Sequence, residues 1–577
     1  MPNRLLTPEG ESLRAVPWDI YPRPQLRRDS CLNLNGDWQF EIRREPDLPE
    51  SYRQTIRVPF PPESLLSGLS CRVEPGSYLF YARSVRLPEG FCRGRVLLHI
   101  GAADQITDVY VNQIHIGTHI GGYEAMTFDI THALQAENEL VIRVLDDLRA
   151  SVLPYGKQTM KRGGMWYTPV SGIWQTVWLE SVPEHYIRQL DIRCLGDRVH
   201  IDTGEPDLSG TVTVQTPTGS LVLPLTHGQA VIAPPKPRLW SPEDPYLYEF
   251  AVETAQDRVE SYFALRTLEI KTVDGLPRLC LNGRPYFFHG LLDQGYWSDG
   301  LMTPAAPECY DRDILTMKSL GFNTLRKHIK VEPEQFYYAC DRLGMVVFQD
   351  MVNNGDYSYL RDTVAPTLGL QKRRDQKLHR DEATRQAFLA GMEATVGQLK
   401  NHPCIVYWTV FNEGWGQFDS ADCYRRLREL DSSRWIDSTS GWFRGDQTDV
   451  DSRHIYFGQW RQLRPSEKPT VLSEFGGYCY RVEGHIWNPD KSYGYHTCKD
   501  RQALQTELIE LYDKHILPAI RRGLCAAVYT QVSDVEDEIN GLMTYDRRVV
   551  KVDAAPMQAL ARRLQAAIRQ SAVQQLI

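Results

Sequence analysis

The sequence predicts a multidomain protein in which two β-sandwiches precede a (β/α)8 barrel. Its 577 residues exceed what one hydrophobic core can organise, since a domain usually holds about 100 to 200 residues. The first half alternates apolar and polar residues in short runs separated by turn residues, as antiparallel sandwiches do. After residue 271, apolar residues recur at helical spacing between short hydrophobic strands, which is typical of parallel βα units.

The β-rich half divides into two regions. Residues 1–182 contain runs such as YLFYARSVRL, ITDVYVN and IWQTVWLES, and their regular spacing predicts one sandwich. Residues 183–270 repeat the pattern on a smaller scale, with GTVTVQT and SYFALRTLEI on either side of the Pro-rich PPKPRLWSPEDP. The length of this second region suits an immunoglobulin-like sandwich.

Residues 271–577 predict the barrel. Phe336, Cys340 and Leu343 share one helix face, Gly344 ends that helix, and MVVFQD follows as a strand. The same order of helix and strand recurs before CIVYWTVFNE and before GLCAAVYTQ. About 300 residues of this kind suit a closed barrel, with a doubly wound sheet as the alternative. A barrel places its chemistry where the strands end.

Composition and charge narrow the class of function. The chain is 42% hydrophobic and 24% charged, and its formal charge of −8 is not gathered into long runs of one sign. We therefore expect no nucleic-acid partner. With no apolar signal core at the N-terminus and no apolar run of about 20 residues, we expect no membrane association and a cytoplasmic location. The 12 cysteines include no CxxC pair, which predicts reduced, mostly buried thiols.

Polar side chains gather at the predicted strand ends. Because the carboxyl ends of parallel strands share one rim, six such ends predict a functional site there. The strand-end residues are Arg326, His328, Asp350, Asn412, Glu413, His454, Tyr456, Glu474 and Gln531.

Two of these residues, Glu413 and Glu474, end apolar strands and precede glycines. Each could serve only as a structural ion-pair partner of Arg326 or His328. Two glutamates on one rim, with Asn412 beside the first, instead fit the carboxylate pair that cleaves glycosidic bonds.

Several motifs extend this interpretation to a family. FNEGWGQF, LSEFGG, LRKHIKVEP, LDQGYWSDG and YTQVSDVEDEINGLMTYDR resemble glycoside hydrolase family 2, which includes β-galactosidases, β-glucuronidases and β-mannosidases. LNGDWQF, GGYEAMTFDIT, SGIWQTVWLES and WSPEDPYLY resemble its N-terminal domains. The resemblance implies a jelly-roll domain of the sugar-binding type, an immunoglobulin-like domain and a catalytic TIM barrel.

The resemblance also implies residue roles. Glu413 corresponds to the general acid/base and Glu474 to the nucleophile. Asn412 would bind the sugar 2-hydroxyl, Tyr456 would donate a hydrogen bond to the nucleophile, and Arg326 would keep Glu474 ionised by its opposite charge.

The remaining sugar contacts are predicted from position. For His328 we expect a hydroxyl or structural contact and not a metal ligand, because no partner stands at a ligand spacing. Trp415 fits sugar stacking and packing equally well. We expect neither a metal nor a cofactor to be required. The other predicted contacts are Asp293, Gln294, Trp297, Trp487 and Gln531.

The sequence departs from the family pattern near its last strand. β-Glucuronidases of the family carry an Asn-x-Lys element that binds the sugar carboxylate, and Glu538-Ile539-Asn540 stands in that place here. An acidic residue there should repel a uronate, although Lys327 and Lys330 offer another clamp. The tryptophan usual in β-galactosidases is also missing from the last strand, which reads VYTQ.

The sequence therefore favours a retaining exo-β-glycosidase that removes a terminal, non-reducing neutral sugar, with a β-galactoside as the first choice. A β-glucuronide, β-mannoside or furanoside is the alternative substrate. A noncatalytic carbohydrate-binding protein is the second class of function, although it would be expected to lack one glutamate. An unrelated barrel or nucleotide-binding enzyme is the third, and its motifs are absent. The expected partner is a small glycoside or oligosaccharide, and a homo-oligomer is possible.

Overall fold

The computed structural model describes residues 3–365, 375–443, 445–456, 458, 460 and 463–573. Its N-terminal region is an antiparallel sandwich in which strands such as Ile106–Val111 alternate buried and partly exposed residues. That alternation buries one face of each sheet. In sheet order, the larger sheet contains Gln54–Val58, Gly36–Arg43, Ser77–Val85, Asn138–Asp146, Ile106–Val111 and Ile114–Ile120; the smaller contains Cys31–Asn33, Val177–Val182, Arg95–Ile100 and Met126–Asp129; Gly172–Ile173 pairs with Ala103–Asp104.

A second antiparallel sandwich follows, with its own apolar core around Tyr248, Phe250 and Phe263. A three-stranded sheet then leads into the barrel. The predicted domain limits fall just after the strand Val177–Val182 and inside the strand Leu268–Val273. The sandwich strands are Asp191–Leu195, Arg198–Asp202 and Gln229–Ile232 in one sheet and Gly219–Leu225, Gly210–Thr216, Tyr248–Thr254 and Arg258–Phe263 in the other; the connecting sheet is Leu268–Val273, Leu276–Leu281 and Arg284–Pro285.

Eight parallel strands form the nearly closed barrel and confirm the predicted fold class. Neighbouring strands are hydrogen-bonded in the order fifth, fourth, third, second, first, eighth, seventh and sixth. Between the fifth and sixth strands, the Asp449 N–H donates to the Ile436 carbonyl at 2.9 Å. In chain order the barrel strands are Phe288–Asp293, Thr324–Lys327, Val346–Asp350, Ile405–Asn412, Trp435–Ser440, Asp451–Ile455, Thr470–Gly476 and Leu524–Thr530.

Helices cover the outside of the barrel, and the predicted helix stop at Gly344 is present, with φ of 73°. None of the described helices is both long and apolar enough to cross a membrane. All twelve cysteines are free and eight are buried, as the reduced-thiol interpretation requires. The helical segments are Pro8–Glu11, Thr131–Ala133, Glu308–Ser319, Glu334–Leu343, Leu360–Val364, Asp375–Lys377, Glu382–Leu399, Ser420–Leu430, Arg501–Leu511, Tyr512–Ile516, Leu517–Ile520 and Ala554–Val573.

The N-terminal sandwich packs directly on the barrel. The indole of Trp174 belongs to the same buried core as the barrel residues. The backbone carbonyl of Trp174 accepts a hydrogen bond from the Thr303 hydroxyl. From the second sandwich, Trp240 donates to the carbonyl of Asp341 at 2.7 Å. Burial of two large indoles at these contacts fixes the sandwiches against the barrel.

Candidate active site

The fourth barrel strand, Ile405–Asn412, is buried along its whole length and delivers Glu413 to the rim. Glu413 has a positive φ of 52°, a backbone conformation that side chains other than glycine rarely adopt and that often marks a functional site. Gly414 follows with φ of 79°. A Cβ there would lie 2.2 Å from the ring of Phe443, so only glycine fits this turn.

Arg326, at the second strand, organises the floor of the site. Its Nε donates to Asp350 at 3.0 Å, and its Nη1 donates to the Ser473 carbonyl at 3.1 Å and to Glu474 at 2.9 Å. Its Nη2 donates to Asn412 Oδ1 at 2.9 Å. The guanidinium is only 1% exposed. One planar cation therefore holds groups from three other strands in fixed positions.

Glu474 lies in a strongly cationic environment. Burial raises its pKa, but electrostatic interactions with His454, Arg326 and His328, together with the Tyr456 hydrogen bond, lower the pKa to about 2. The Tyr456 hydroxyl donates to Oε2 at 2.5 Å. Glu474 is therefore ionised at neutral pH.

Glu413 and Glu474 both lie beside the imidazole of His454. His454 Nδ1 lies 2.7 Å from Glu413 Oε1 and 3.6 Å from Glu474 Oε2. One oxygen of each glutamate and a nitrogen of His454 all lie within 4.8 Å of one another. These three groups have the ligand types of a metal site, but the buried Arg326 cation beside Glu474 disfavours another positive charge. The sequence placed His454 at a strand end and gave it no role.

Asn412 and His328 complete the wall around the pair. The Asn412 side-chain nitrogen is buried and has no hydrogen-bond partner among the described residues, so it is free to donate to a ligand. His328 Nδ1 lies 2.8 Å from Asp350. Burial, with the nearby charge of Lys157, lowers the pKa of His328 to about 4. His328 is therefore neutral at pH 7.

Two other predicted contacts, Gln531 and Gln294, have buried side-chain oxygens that find no partner in the described chain. Gln531 donates to Asn540 at 2.8 Å. Asp293, by contrast, is held by the Lys327 ammonium at 2.7 Å, which together with other nearby groups lowers its pKa against the effect of burial. Asp293 therefore acts within an ion-pair network behind the rim.

Trp297 and Trp487, the two tryptophans predicted to contact sugar, each pack against an arginine. Trp297 is 2% exposed and its ring lies 4.1 Å from the Arg547 guanidinium. Trp487 is half-buried, with the Arg162 guanidinium 4.3 Å from its ring. Neither indole has a hydrogen bond or ring contact with Glu413 or Glu474 in the described part of the chain. Sugar stacking on either indole therefore stays a prediction.

A loop of the N-terminal sandwich reaches over the barrel mouth, and sequence reasoning missed it. Its Trp166 stacks on Trp415 with ring centroids 5.1 Å apart, so Trp415 packs between domains. Lys157, from the same loop, is 6% exposed and lies 4.8 Å from the Trp415 ring. Burial lowers the pKa of Lys157, while the charges of Glu538, Glu474 and Glu413 oppose that effect.

The Lys157 ammonium has no hydrogen bond or ion pair with any described residue. An ammonium so deeply buried normally has a partner. It is therefore available to a ligand bound beside the glutamates. Its only sequence signal was a basic loop, GKQTMKRGG, far from the barrel in the chain.

Comparison with known proteins identifies the family of this chain. The family model for the TIM barrel domain of glycosyl hydrolases family 2 matches residues 273–562, half of the chain, and a second model of glycosyl hydrolases family 2 matches residues 196–266. The chain belongs to glycoside hydrolase family 2. The resemblance seen in the sequence motifs is thereby confirmed.

Relatives within family 2 carry two different names. A β-galactosidase from Thermoanaerobacter pseudethanolicus is 23% identical over 498 residues, which are 80% of this chain and 59% of that protein. A β-glucuronidase from Felis catus is 26% identical over 450 residues, 68% of this chain and 65% of that protein. The chain thus spans less than two thirds of the length of either relative.

Solved family 2 structures share the whole domain layout. A β-D-glucuronidase from Dictyoglomus thermophilum has a TM-score of 0.74 and 18% identity, covering 94% of this chain and 98% of that one. A β-galacturonidase from Eisenbergiella tayi bound to galacturonate has a TM-score of 0.66 and 16% identity, covering 95% and 99%. At these identities the likeness establishes the fold alone.

Proposed function

We propose that the protein is a retaining exo-β-glycosidase in which Glu474 is the nucleophile and Glu413 the general acid/base. The observation that carries this proposal is the spacing of the pair, with an oxygen of each glutamate within 4.8 Å of the other. Carboxyl groups about 5 to 5.5 Å apart serve double displacement, whereas inverting enzymes need about 6.5 to 9.5 Å to admit water.

The environments of the two glutamates assign their roles. Glu474, ionised by its cationic neighbours, attacks the anomeric carbon while Glu413 protonates the leaving oxygen. Glu413 then removes a proton from water, which attacks the same carbon and releases the sugar with its configuration retained. His454 contacts both carboxylates and holds them in register. The side-chain nitrogen of Asn412, which has no partner in the described chain, donates to the sugar 2-hydroxyl.

The neutral-sugar prediction depended on repulsion from Glu538, and the structure weakens that argument. Tyr167 donates to one Glu538 oxygen at 2.5 Å and Asn540 donates to the other at 3.0 Å. Burial also raises the pKa of Glu538. The carboxylate is thus satisfied within the protein.

The alternative clamp predicted at Lys327 and Lys330 is also engaged elsewhere. Lys327 pairs with Asp293 at 2.7 Å and Glu332 at 2.9 Å. Lys330 donates to Glu332 and to the carbonyls of Gly295 and Met302, all within 2.8 Å. Neither ammonium is free to bind a sugar carboxylate.

A β-uronide is therefore our second candidate substrate beside the β-galactoside. The observation that favours it is the unpaired Lys157 ammonium, which lies near both glutamates. A carboxylate on the sugar would supply the partner that this buried cation lacks. The names of the relatives include both kinds of activity, so a panel of nitrophenyl β-glycosides should contain galactoside, glucuronide, galacturonide, mannoside and furanoside.

Chemical rescue tests the assignment of the glutamates. Glu413→Ala should still form the glycosyl-enzyme from a substrate with an acidic nitrophenol leaving group, and added azide should release the β-glycosyl azide. Glu474→Ala cannot form that intermediate, and azide entering its space should give the α-azide. Proton NMR coupling distinguishes the anomers. Exchanged products would exchange the roles, and a lack of rescue in both variants would overturn the mechanism.

A further inference from the structure

A second cluster of ligand-type side chains lies outside the barrel mouth. His496 Nε2 is 2.5 Å from Glu507 Oε2, and the Cys498 thiol donates to the same oxygen at 3.8 Å. The three ligand atoms all lie within 4.8 Å of one another. Imidazole, thiolate and carboxylate together are the ligand set of zinc.

Two separate elements build this cluster. His496 belongs to a short strand paired in parallel with Tyr478–Cys479, and Cys498 follows that strand. Glu507 projects from the helix Arg501–Leu511. The Tyr478 ring packs against His496 with centroids 4.8 Å apart and orients the imidazole.

An ordinary surface ion pair between His496 and Glu507 does not account for the third member. Cys498 is 4% exposed, yet its sulfur faces the same carboxylate oxygen. A bound cation would take the sulfur as a thiolate and contact all three groups at once.

We propose that His496, Cys498 and Glu507 form a zinc-type metal site with a fourth position open to solvent. The half-exposed His496 and Glu507 side chains leave room for that fourth ligand, which would be water. The site would join the loop after the seventh barrel strand to the following helix. The assignment of this site does not depend on the proposed glycosidase activity.

The position of the cluster suggests a structural effect on the active site. Tyr495 precedes His496 and stacks on Tyr456 at a centroid distance of 4.0 Å. Tyr456 in turn donates to Glu474. A metal holding His496 would therefore restrict the segment that supports the proposed nucleophile.

Cobalt binding to the full-length, chelator-treated protein under reducing conditions tests the site. Co²⁺ should produce a thiolate charge-transfer band in the near ultraviolet, and Zn²⁺ should remove it by competition. Cys498→Ser should abolish the band, and Glu507→Gln should weaken Zn²⁺ binding at least about tenfold. Cys92→Ser, which changes an exposed cysteine, is the matched control and should keep the band.

Proton release gives a second measurement. Because the thiol must lose its proton to bind the metal, Zn²⁺ should release protons from the wild-type protein and the apparent Zn²⁺ affinity should rise with pH. Metal bound by the active-site glutamates would give no thiolate band. The absence of a band in the wild-type protein, or its persistence in Cys498→Ser, would overturn the proposal.

Discussion

Replacing Lys157 by methionine should separate recognition of an anionic sugar from catalysis. Methionine keeps an apolar stem of similar length against Trp415, so packing changes little. It removes only the ammonium, which is 6% exposed and has no polar partner in the described chain. The variant therefore tests whether that charge has a partner on the substrate.

The size of the effect follows from the contact that would be lost. A hydrogen bond to a charged group contributes about 1.5 to 3 kcal/mol, which corresponds to roughly 10- to 150-fold in kcat/KM. We expect a loss of that size on a nitrophenyl β-uronide if Lys157 binds the sugar carboxylate. On a neutral β-galactoside, the same substitution should change kcat/KM by less than about threefold.

The assay compares kcat/KM for β-glucuronide, β-galacturonide and β-galactoside in wild type and variant. Lys161→Met is the matched control, because it removes an exposed ammonium from the same loop and should leave all three values unchanged. Equal losses on charged and neutral sugars would show that Lys157 supports the glutamates electrostatically. No loss on either uronide would refute the recognition argument.

Two further substitutions test the electrostatics of buried groups, Tyr456 beside the proposed nucleophile and Glu536, which is 2% exposed and accepts a hydrogen bond from the Thr168 N–H at 2.9 Å. Tyr456→Phe removes the 2.5 Å hydrogen bond to Glu474, and kcat should fall about 10-fold or more while the melting temperature changes little; an unchanged kcat would contradict the role of the hydroxyl. Burial raises the pKa of Glu536 to about 7, above its value of about 4.5 in the unfolded chain. The contribution of protonated Glu536 to the free energy of unfolding is therefore fully present below about pH 4.5. It is lost as the pH rises to about 7, by about 3 kcal/mol. Denaturant unfolding at several pH values should show this loss in wild type and not in Glu536→Gln, and parallel pH profiles would contradict it.

The sequence predicted the fold and the pair of glutamates for a simple physical reason. Parallel barrel strands bring their carboxyl ends to one rim, so residues 61 positions apart become neighbours once the strands are recognised. The strand pattern also put Arg326 on this rim, and the family resemblance paired it with Glu474; the two side chains are 2.9 Å apart. A local strand pattern is enough to place residues on one rim.

Contacts between domains could not be predicted from strand patterns. Lys157 and Trp166 lie in an irregular loop, where no hydrophobic period reports which side chains point inward. Trp297 and Trp487 were predicted as sugar contacts from their loop positions, but an indole that fills a core and one that stacks on sugar have the same sequence signature. The arginines that cover their rings come from distant segments of the chain.

Under the proposed function, residues of the barrel strands carry the chemistry and the cross-domain loop carries substrate choice. Glu413, Glu474 and Arg326 all lie on barrel strands or directly after them, and their geometry depends on the ladder between those strands. Lys157 reaches the same site only because the sandwich is fixed to the barrel through contacts such as the Trp166–Trp415 stack. Changes in that loop should therefore alter which sugar is bound while the spacing of the glutamates, and with it the stereochemical course, stays the same.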